Sequence, residues 1–124
     1  MTNNFYSKFV KEFGNKPTKM YNSPPVVLHS AIGISGEAGE LLDTVKKHVF
    51  YGKPLDTTNV VEEMGDILFY IQMMCNHMGL SLDDVVHVNI KKLKNRYPDG
   101  FSTDKALNRN TSKEREVMDD TISK

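Results

Sequence analysis

Hydrophobic residues recur along this chain at helical spacings, and no segment sustains the alternation of apolar and polar positions that is typical of a half-buried strand. A short first helix is predicted by aromatic residues at every fourth position: Phe5, Phe9 and Phe13. We expect it to end at Gly14 and Pro17, since glycine and proline commonly terminate helices. The pattern therefore predicts an all-α fold.

The first long helix is predicted between Val26 and Phe50, where mostly small or aliphatic residues repeat at alternating steps of four and three: Ala31, Ser35, Ala38, Leu42, Val45 and Val49. This is the second predicted helix along the chain, α2, and we call these six residues the α2 seam. Three glycines interrupt the same segment, at positions 33, 36 and 39. Each costs up to ~1 kcal/mol of helix propensity relative to alanine. They therefore indicate the close approach of another backbone or of a ligand.

A second long helix is predicted from Asn59, which precedes Glu62 by three residues as the cap of a capping box does. Its broad apolar face ends at Gly79 and consists of Val60, Met64, Ile67, Leu68, Ile71, Met74, Cys75 and Met78. Ser81 is the expected cap of a third helix that ends before Pro98, and its apolar stripe consists of Val86, Ile90, Leu93 and Tyr97.

The composition narrows the class of protein. A chain of 124 residues fits one domain, which we assign to residues 1–110, followed by a polar tail, 111–124, whose composition is compatible with a frayed helix. Sixteen basic residues balance sixteen acidic ones, so the charge favours no nucleic-acid partner. One cysteine cannot form an internal disulfide. No apolar run has the ~18 residues of a membrane span or the apolar stretch of a signal peptide. We expect a cytoplasmic protein.

The candidate chemistry begins with two matched pairs of acids. Glu37 and Glu40 are three residues apart on the first long helix, and Glu63 and Asp66 have the same spacing on the second. Both pairs border the apolar faces that we expect to pack together. Four acids between two helices repel one another and are costly to desolvate. Oxygen ligands alone favour Mg²⁺ or Mn²⁺ over zinc. The alternative is that these acids are solvated helix surface.

A polar stripe on the third helix is the second candidate site. Asn89, Lys92 and Arg96 follow one another at steps of three and four, so one face carries an amide and two cations. Such a face suits a polyanion such as a triphosphate, because arginine offers a bidentate fork. A solvated basic face is the alternative interpretation.

Three segments together resemble a known family: SGEAGELLDTVKKH, VVEEMGDILFYI and NIKKLKNRYPDGF. They are similar to the MazG-like nucleoside triphosphate pyrophosphohydrolases of the all-α pyrophosphatase superfamily, and the resemblance covers roughly residues 28–110. The family signature, Glu-x-x-Glu followed by Glu-x-x-Asp, falls on the four acids of the two pairs.

The resemblance implies hydrolysis of a nucleoside triphosphate to the monophosphate and pyrophosphate. It implies that the four acids hold Mg²⁺, with Mn²⁺ as a substitute, and that the metal orients or generates the attacking water. One acid would accept the proton of that water. By the same similarity, Lys92 and Arg96 bind the phosphates with Asn89 nearby.

The resemblance also implies a homodimer or homotetramer in which helices of several copies complete a four-helix-bundle core, and the α2 seam fits that arrangement. Two other functions stay open on the residues alone. One is a non-catalytic helical binding or regulatory module that uses the cations of the third helix: Lys91, Lys92, Lys94 and Arg96. The other is a di-iron carboxylate protein.

Overall fold

The structure is a computed structural model that describes residues 2–14 and 22–123. These residues form six α-helices and no strand, which confirms the all-α prediction: α1 Thr2–Phe13, α2 Pro25–Tyr51, α3 Thr57–Met78, α4 Leu82–Arg96, α5 Thr103–Leu107 and α6 Thr111–Ile122. The predicted stop at Pro17 lies outside the described residues. No helix in these ranges is long and apolar enough to cross a membrane.

The ends of the helices follow local chemistry. Gly52 and Gly79 end α2 and α3 with φ at 68°, a left-handed conformation in which glycine avoids the steric cost of a Cβ atom. Ser81 and Asp84 form a reciprocal capping box at the start of α4, which confirms the predicted cap.

The predicted cap of α3 is wrong. The helix begins at Thr57, and its N-cap is Asp56, whose carboxylate accepts a hydrogen bond from the backbone nitrogen of Asn59 at 3.0 Å. Asn59 therefore lies within the first turn. Both Asp and Asn cap helices well, so the spacing to Glu62 alone did not distinguish the two positions.

The helices α2 and α3 form a hairpin with the most extensive interhelical contact in the described part of the chain. At Gly33 the two helices come so close that an added Cβ would lie 2.4 Å from the ring of Tyr70. This contact explains one of the three helical glycines. Gly36 and Gly39 have open space where a Cβ would lie, so no described neighbour accounts for them.

The α2 seam faces away from α3. Leu42 is 68% exposed and Val49 is 61% exposed, and the other members of the seam are exposed as well. The face of α2 that contacts α3 lies one residue earlier in the repeat, and its buried members are Ser30 and Thr44. Among the described residues Cys75 is the one buried hydrophobic side chain, so this single chain has a very small apolar core.

The last helix completes a second packing unit. The segment expected to be a frayed polar tail forms α6, which packs along α4. Glu114 of α6 is only 2% exposed, and it forms ion pairs with Arg96 of α4 and with Arg109. A buried carboxylate with two guanidinium partners is a specific contact that the polar composition of the segment did not predict.

Candidate metal centre

Three of the four predicted acids meet where α2 packs against α3. Carboxylate oxygens of Glu37, Glu63 and Asp66 all lie within 4.8 Å of one another, and we call these three residues the acid cluster. Glu63 is buried, Glu37 is half-buried and Asp66 is exposed. The spacing of three residues places Glu63 and Asp66 on adjacent sides of one turn of α3, and Glu37 faces them from α2.

Among the residues that the structure describes, no basic side chain pairs with the acid cluster to balance its charge. The pKa of the Glu37 carboxyl is raised above its ordinary value of 4.5, first because it shares a hydrogen bond with Glu63 and then because of partial burial and the nearby charge of Asp66. Within the described residues, no Lys or Arg nitrogen lies within 4.0 Å of these three carboxylates, whereas Lys46 and Lys47 pair with Asp43. An unbalanced acid cluster of this kind is suited to a cation.

The fourth predicted acid, Glu40, lies outside the acid cluster but close to it. It lines a groove of about 530 Å³ together with Glu63, and its charge contributes to the raised pKa of Glu37. The same groove is lined by Lys47 and Lys53. We call it the α2–α3 groove, because it runs along both helices and the loop between them.

Sequence reasoning did not select Lys47 or Lys53. Lys47 follows Glu40 by seven residues on α2, and two turns of helix bring such residues to the same face about 10 Å apart. That spacing could have identified Lys47. Lys53 belongs to the loop, where His48 holds its backbone carbonyl oxygen at 2.7 Å through Nδ1, and helical periodicity gives no information about a loop residue.

Asn59 is the other residue whose place the sequence did not indicate. Its side-chain amide donates hydrogen bonds to Oε1 of Glu63 at 3.1 Å and to Oε2 of Glu62 at 3.3 Å. Its Oδ1 accepts from the hydroxyl of Thr44 on α2. The amide therefore links the two helices directly beside the acid cluster.

The polar stripe that was predicted on the third helix, Asn89, Lys92 and Arg96, lies on α4. Asn89 is exposed and Lys92 is half-buried, while the Arg96 side chain is only 14% exposed and pairs with Glu114. None of these three residues lines the α2–α3 groove. The structure thus brings three of the predicted acids together, with the fourth beside them, and does not bring the α4 residues into their groove.

The donor set of the acid cluster suits a hard divalent cation. All three groups are carboxylates and their oxygens converge, and the buried one has no basic partner in the described part of the chain. Carboxylate oxygens are the ligands that Mg²⁺, Mn²⁺ and Ca²⁺ prefer, whereas zinc favours nitrogen and sulfur. Cys75, the free cysteine of the chain, is buried in the second half of α3 and is not part of this group.

A family model matches more than half of the chain. The model of the MazG nucleotide pyrophosphohydrolase domain matches residues 29–101, a range that contains the acid cluster, Glu40 and all of α3 and α4. No curated protein and no solved structure gives a significant match.

Proposed function

Because the chain belongs to the MazG nucleotide pyrophosphohydrolase family, we propose that it uses Mg²⁺ to hydrolyse a nucleoside triphosphate to the monophosphate and pyrophosphate. The observation that carries this proposal is the convergence of three carboxylates within 4.8 Å at the contact of α2 and α3. In the proposed reaction, water adds across the anhydride bond between the α and β phosphorus atoms. The products are one monophosphate and one pyrophosphate for each triphosphate consumed.

In this proposal the acid cluster holds the metal, and Glu40 supports it from the adjacent face of α2. Mn²⁺ would substitute for Mg²⁺, since both accept carboxylate ligands. The metal would supply neutralisation of phosphate charge and a more acidic bound water. The pKa of the Glu37 carboxyl is raised, which favours its protonated form in the absence of metal. Because a carboxyl binds a cation as the carboxylate, Glu37 is ionised in the metal-bound state of this proposal.

The chain's own residues bind the substrate and take up the proton in this proposal. One of the four acids accepts the proton of the attacking water, which is general base catalysis. Lys47 and Lys53 line the α2–α3 groove and present positive charge to a polyphosphate there. Asn89, Lys92 and Arg96 stay in the proposal as phosphate-binding residues of α4, on the basis of the family resemblance.

The exposed apolar surface supports a homodimer or homotetramer. Within residues 2–14 and 22–123, twenty-five large hydrophobic side chains are more than a third exposed, and they include Leu42 and Val49 of the α2 seam as well as Phe69 of α3. A stable monomer rarely exposes large contiguous apolar surface, and the exposed members of the α2 seam follow one another along a single face of α2. We propose that α2–α3 hairpins of two copies pack through these faces into a four-helix bundle.

An assay of product stoichiometry tests the proposed reaction. Purified protein is incubated with Mg²⁺ and each canonical and modified ribo- and deoxyribonucleoside triphosphate. Equal amounts of pyrophosphate and nucleoside monophosphate are expected for at least one substrate. Orthophosphate with nucleoside diphosphate would contradict the proposal. An absence of turnover across the panel would favour the non-catalytic binding module, and stoichiometric iron in a metal analysis would favour the di-iron alternative.

A further inference from the structure

Asn59 and Thr44 form a polar bridge between α2 and α3 that ends on Glu63. Thr44 is 8% exposed, and its hydroxyl lies 3.3 Å from the backbone oxygen of Glu40 and closer to Oδ1 of Asn59. The amide nitrogen of Asn59 donates to Oε1 of Glu63 at 3.1 Å. A carboxylate only accepts hydrogen bonds, so the NH₂ group must face Glu63 and Oδ1 must face the hydroxyl. The two partners therefore fix the orientation of the amide.

Capping of the first turn of α3 does not account for this bridge. Asp56 is the N-cap, and its carboxylate already accepts from the backbone nitrogen of Asn59. The side chain of Asn59 is thus free of any capping role and is turned toward α2. Its neutral amide restrains one oxygen of Glu63 without adding a positive charge, so it does not compete with a cation as a lysine at this position would.

We propose that Asn59 is a positioning residue, which holds the Glu63 carboxylate in its cation-binding orientation while Thr44 fixes the amide. This inference rests on the proposed metal site. Glu63 is the buried member of the acid cluster, so its orientation has the least support from solvent and depends most on protein partners. Loss of a residue that hydrogen-bonds to a metal ligand generally lowers metal affinity or activity by roughly 10- to 100-fold.

Mn²⁺ binding to the full-length chain, measured by electron paramagnetic resonance without nucleotide, tests this role independently of turnover. We expect Asn59→Ala to weaken Mn²⁺ binding on the order of 10-fold. Thr44→Val, which keeps the side-chain shape and loses the hydroxyl, should weaken it in the same direction. Thr44→Ser keeps the hydroxyl and should restore binding. The matched control is Asn76→Ala, an exposed amide of the same helix that accepts a hydrogen bond from Gln72, and it should bind Mn²⁺ as the unaltered chain does.

The melting temperature in EDTA separates positioning from a merely structural role. Wild-type Mn²⁺ affinity in both Asn59→Ala and Thr44→Val would overturn the inference. A loss of Mn²⁺ affinity in Thr44→Ser as well would also overturn it, because that variant keeps the hydroxyl. The inference would equally be overturned if the loss of affinity in each variant paralleled a fall in its melting temperature without metal. A failure of the proposed function looks different, because a chain that binds Mn²⁺ but releases no pyrophosphate would refute the reaction and leave the positioning role intact.

Discussion

Glu63 and Glu114 are both buried carboxylates, with 8% and 2% of their surface exposed, but their surroundings are opposite. Glu114 on α6 accepts hydrogen bonds from two guanidinium groups, those of Arg96 and Arg109. Glu63 on α3 has two further carboxylates within 4.8 Å and is hydrogen-bonded to a neutral amide. One buried acid is neutralised by the chain itself, and the other lies among groups of its own charge.

The difference separates a structural contact from a binding site. Burying a charge is costly unless a partner compensates it, and the lowered pKa of Glu114 shows that its partners stabilise the ionised form. The raised pKa of Glu37 shows the reverse at the acid cluster. The α4–α6 contact is therefore expected to be independent of added cations, whereas the α2–α3 contact is expected to gain stability from them.

The largest effect is expected from neutral replacements in the acid cluster. Glu63→Gln or Asp66→Asn should lower kcat/KM for the preferred triphosphate on the order of 10²- to 10³-fold, because charge stabilisation at the reacting phosphate is lost. Without metal, the melting temperature should stay the same or rise, since repulsion between carboxylates decreases. The shift that Mg²⁺ adds to the melting temperature should shrink. Steady-state kinetics and thermal melts with Mg²⁺ and with EDTA measure these quantities.

Glu114→Gln is the matched control, because it neutralises the other buried acid. It should lower the melting temperature equally with Mg²⁺ and with EDTA, since its partners are arginines of the same chain. If Glu63→Gln destabilised the metal-free chain as Glu114→Gln does, the two acids would have the same role and the contrast between them would be wrong.

An intermediate effect is expected from the cations of α4. Lys92→Ala should lower kcat/KM by ~10-fold if a charge-assisted hydrogen bond to phosphate is lost, with the melting temperature unchanged. Arg96→Ala should lower both, because Arg96 also pairs with the buried Glu114. Lys94→Ala, an exposed cation of the same helix, is the control and should alter neither. Equal losses of activity in the Lys92 and Lys94 variants would indicate general electrostatic attraction instead of a defined phosphate contact.

Much of the fold is encoded in local patterns. Glycines that adopt the left-handed conformation end α2 and α3, and Ser81 begins α4 with its capping box. The start of α3 was misplaced because Asp56 and Asn59 are both good caps. The short α5 has too few residues for a hydrophobic period to appear. Periodicity also identified the α2 seam but could not show that it faces away from α3.

The candidate site likewise contains residues that local spacing predicts and residues whose places depend on packing between elements. Spacing of three residues on two helices was enough to select Glu37, Glu63 and Asp66, which the structure brings together. Asn59 and Lys53 were beyond that reasoning, because the contact of Asn59 with Glu63 and the place of Lys53 in the α2–α3 groove depend on how α2, α3 and the intervening loop pack. Contacts between elements distant in the chain, such as Arg96 with Glu114, leave no periodic signal in either element.

The smallest effect, and the finest test of the contrast, is the pH dependence of stability in EDTA. The folded pKa of Glu114 lies below its ordinary value of 4.5, chiefly because of Arg96 and then Arg109. Its stabilising contribution is thus complete above pH 4.5 and is lost as the pH falls through the folded pKa.

Glu37 has a folded pKa above 4.5, so its contribution is complete below that pH and is lost as the pH rises through the raised value. The two acids should therefore lower the melting temperature in opposite directions of pH, Glu114 as the pH falls below 4.5 and Glu37 as it rises above 4.5. Glu114→Gln should flatten the dependence of the melting temperature on pH below 4.5, and Glu37→Gln should flatten it above 4.5. The difference in melting temperature between each variant and the unaltered chain should thus change with pH in opposite directions. A change in the same direction for both variants would contradict the assignment of one acid to structure and the other to cation binding.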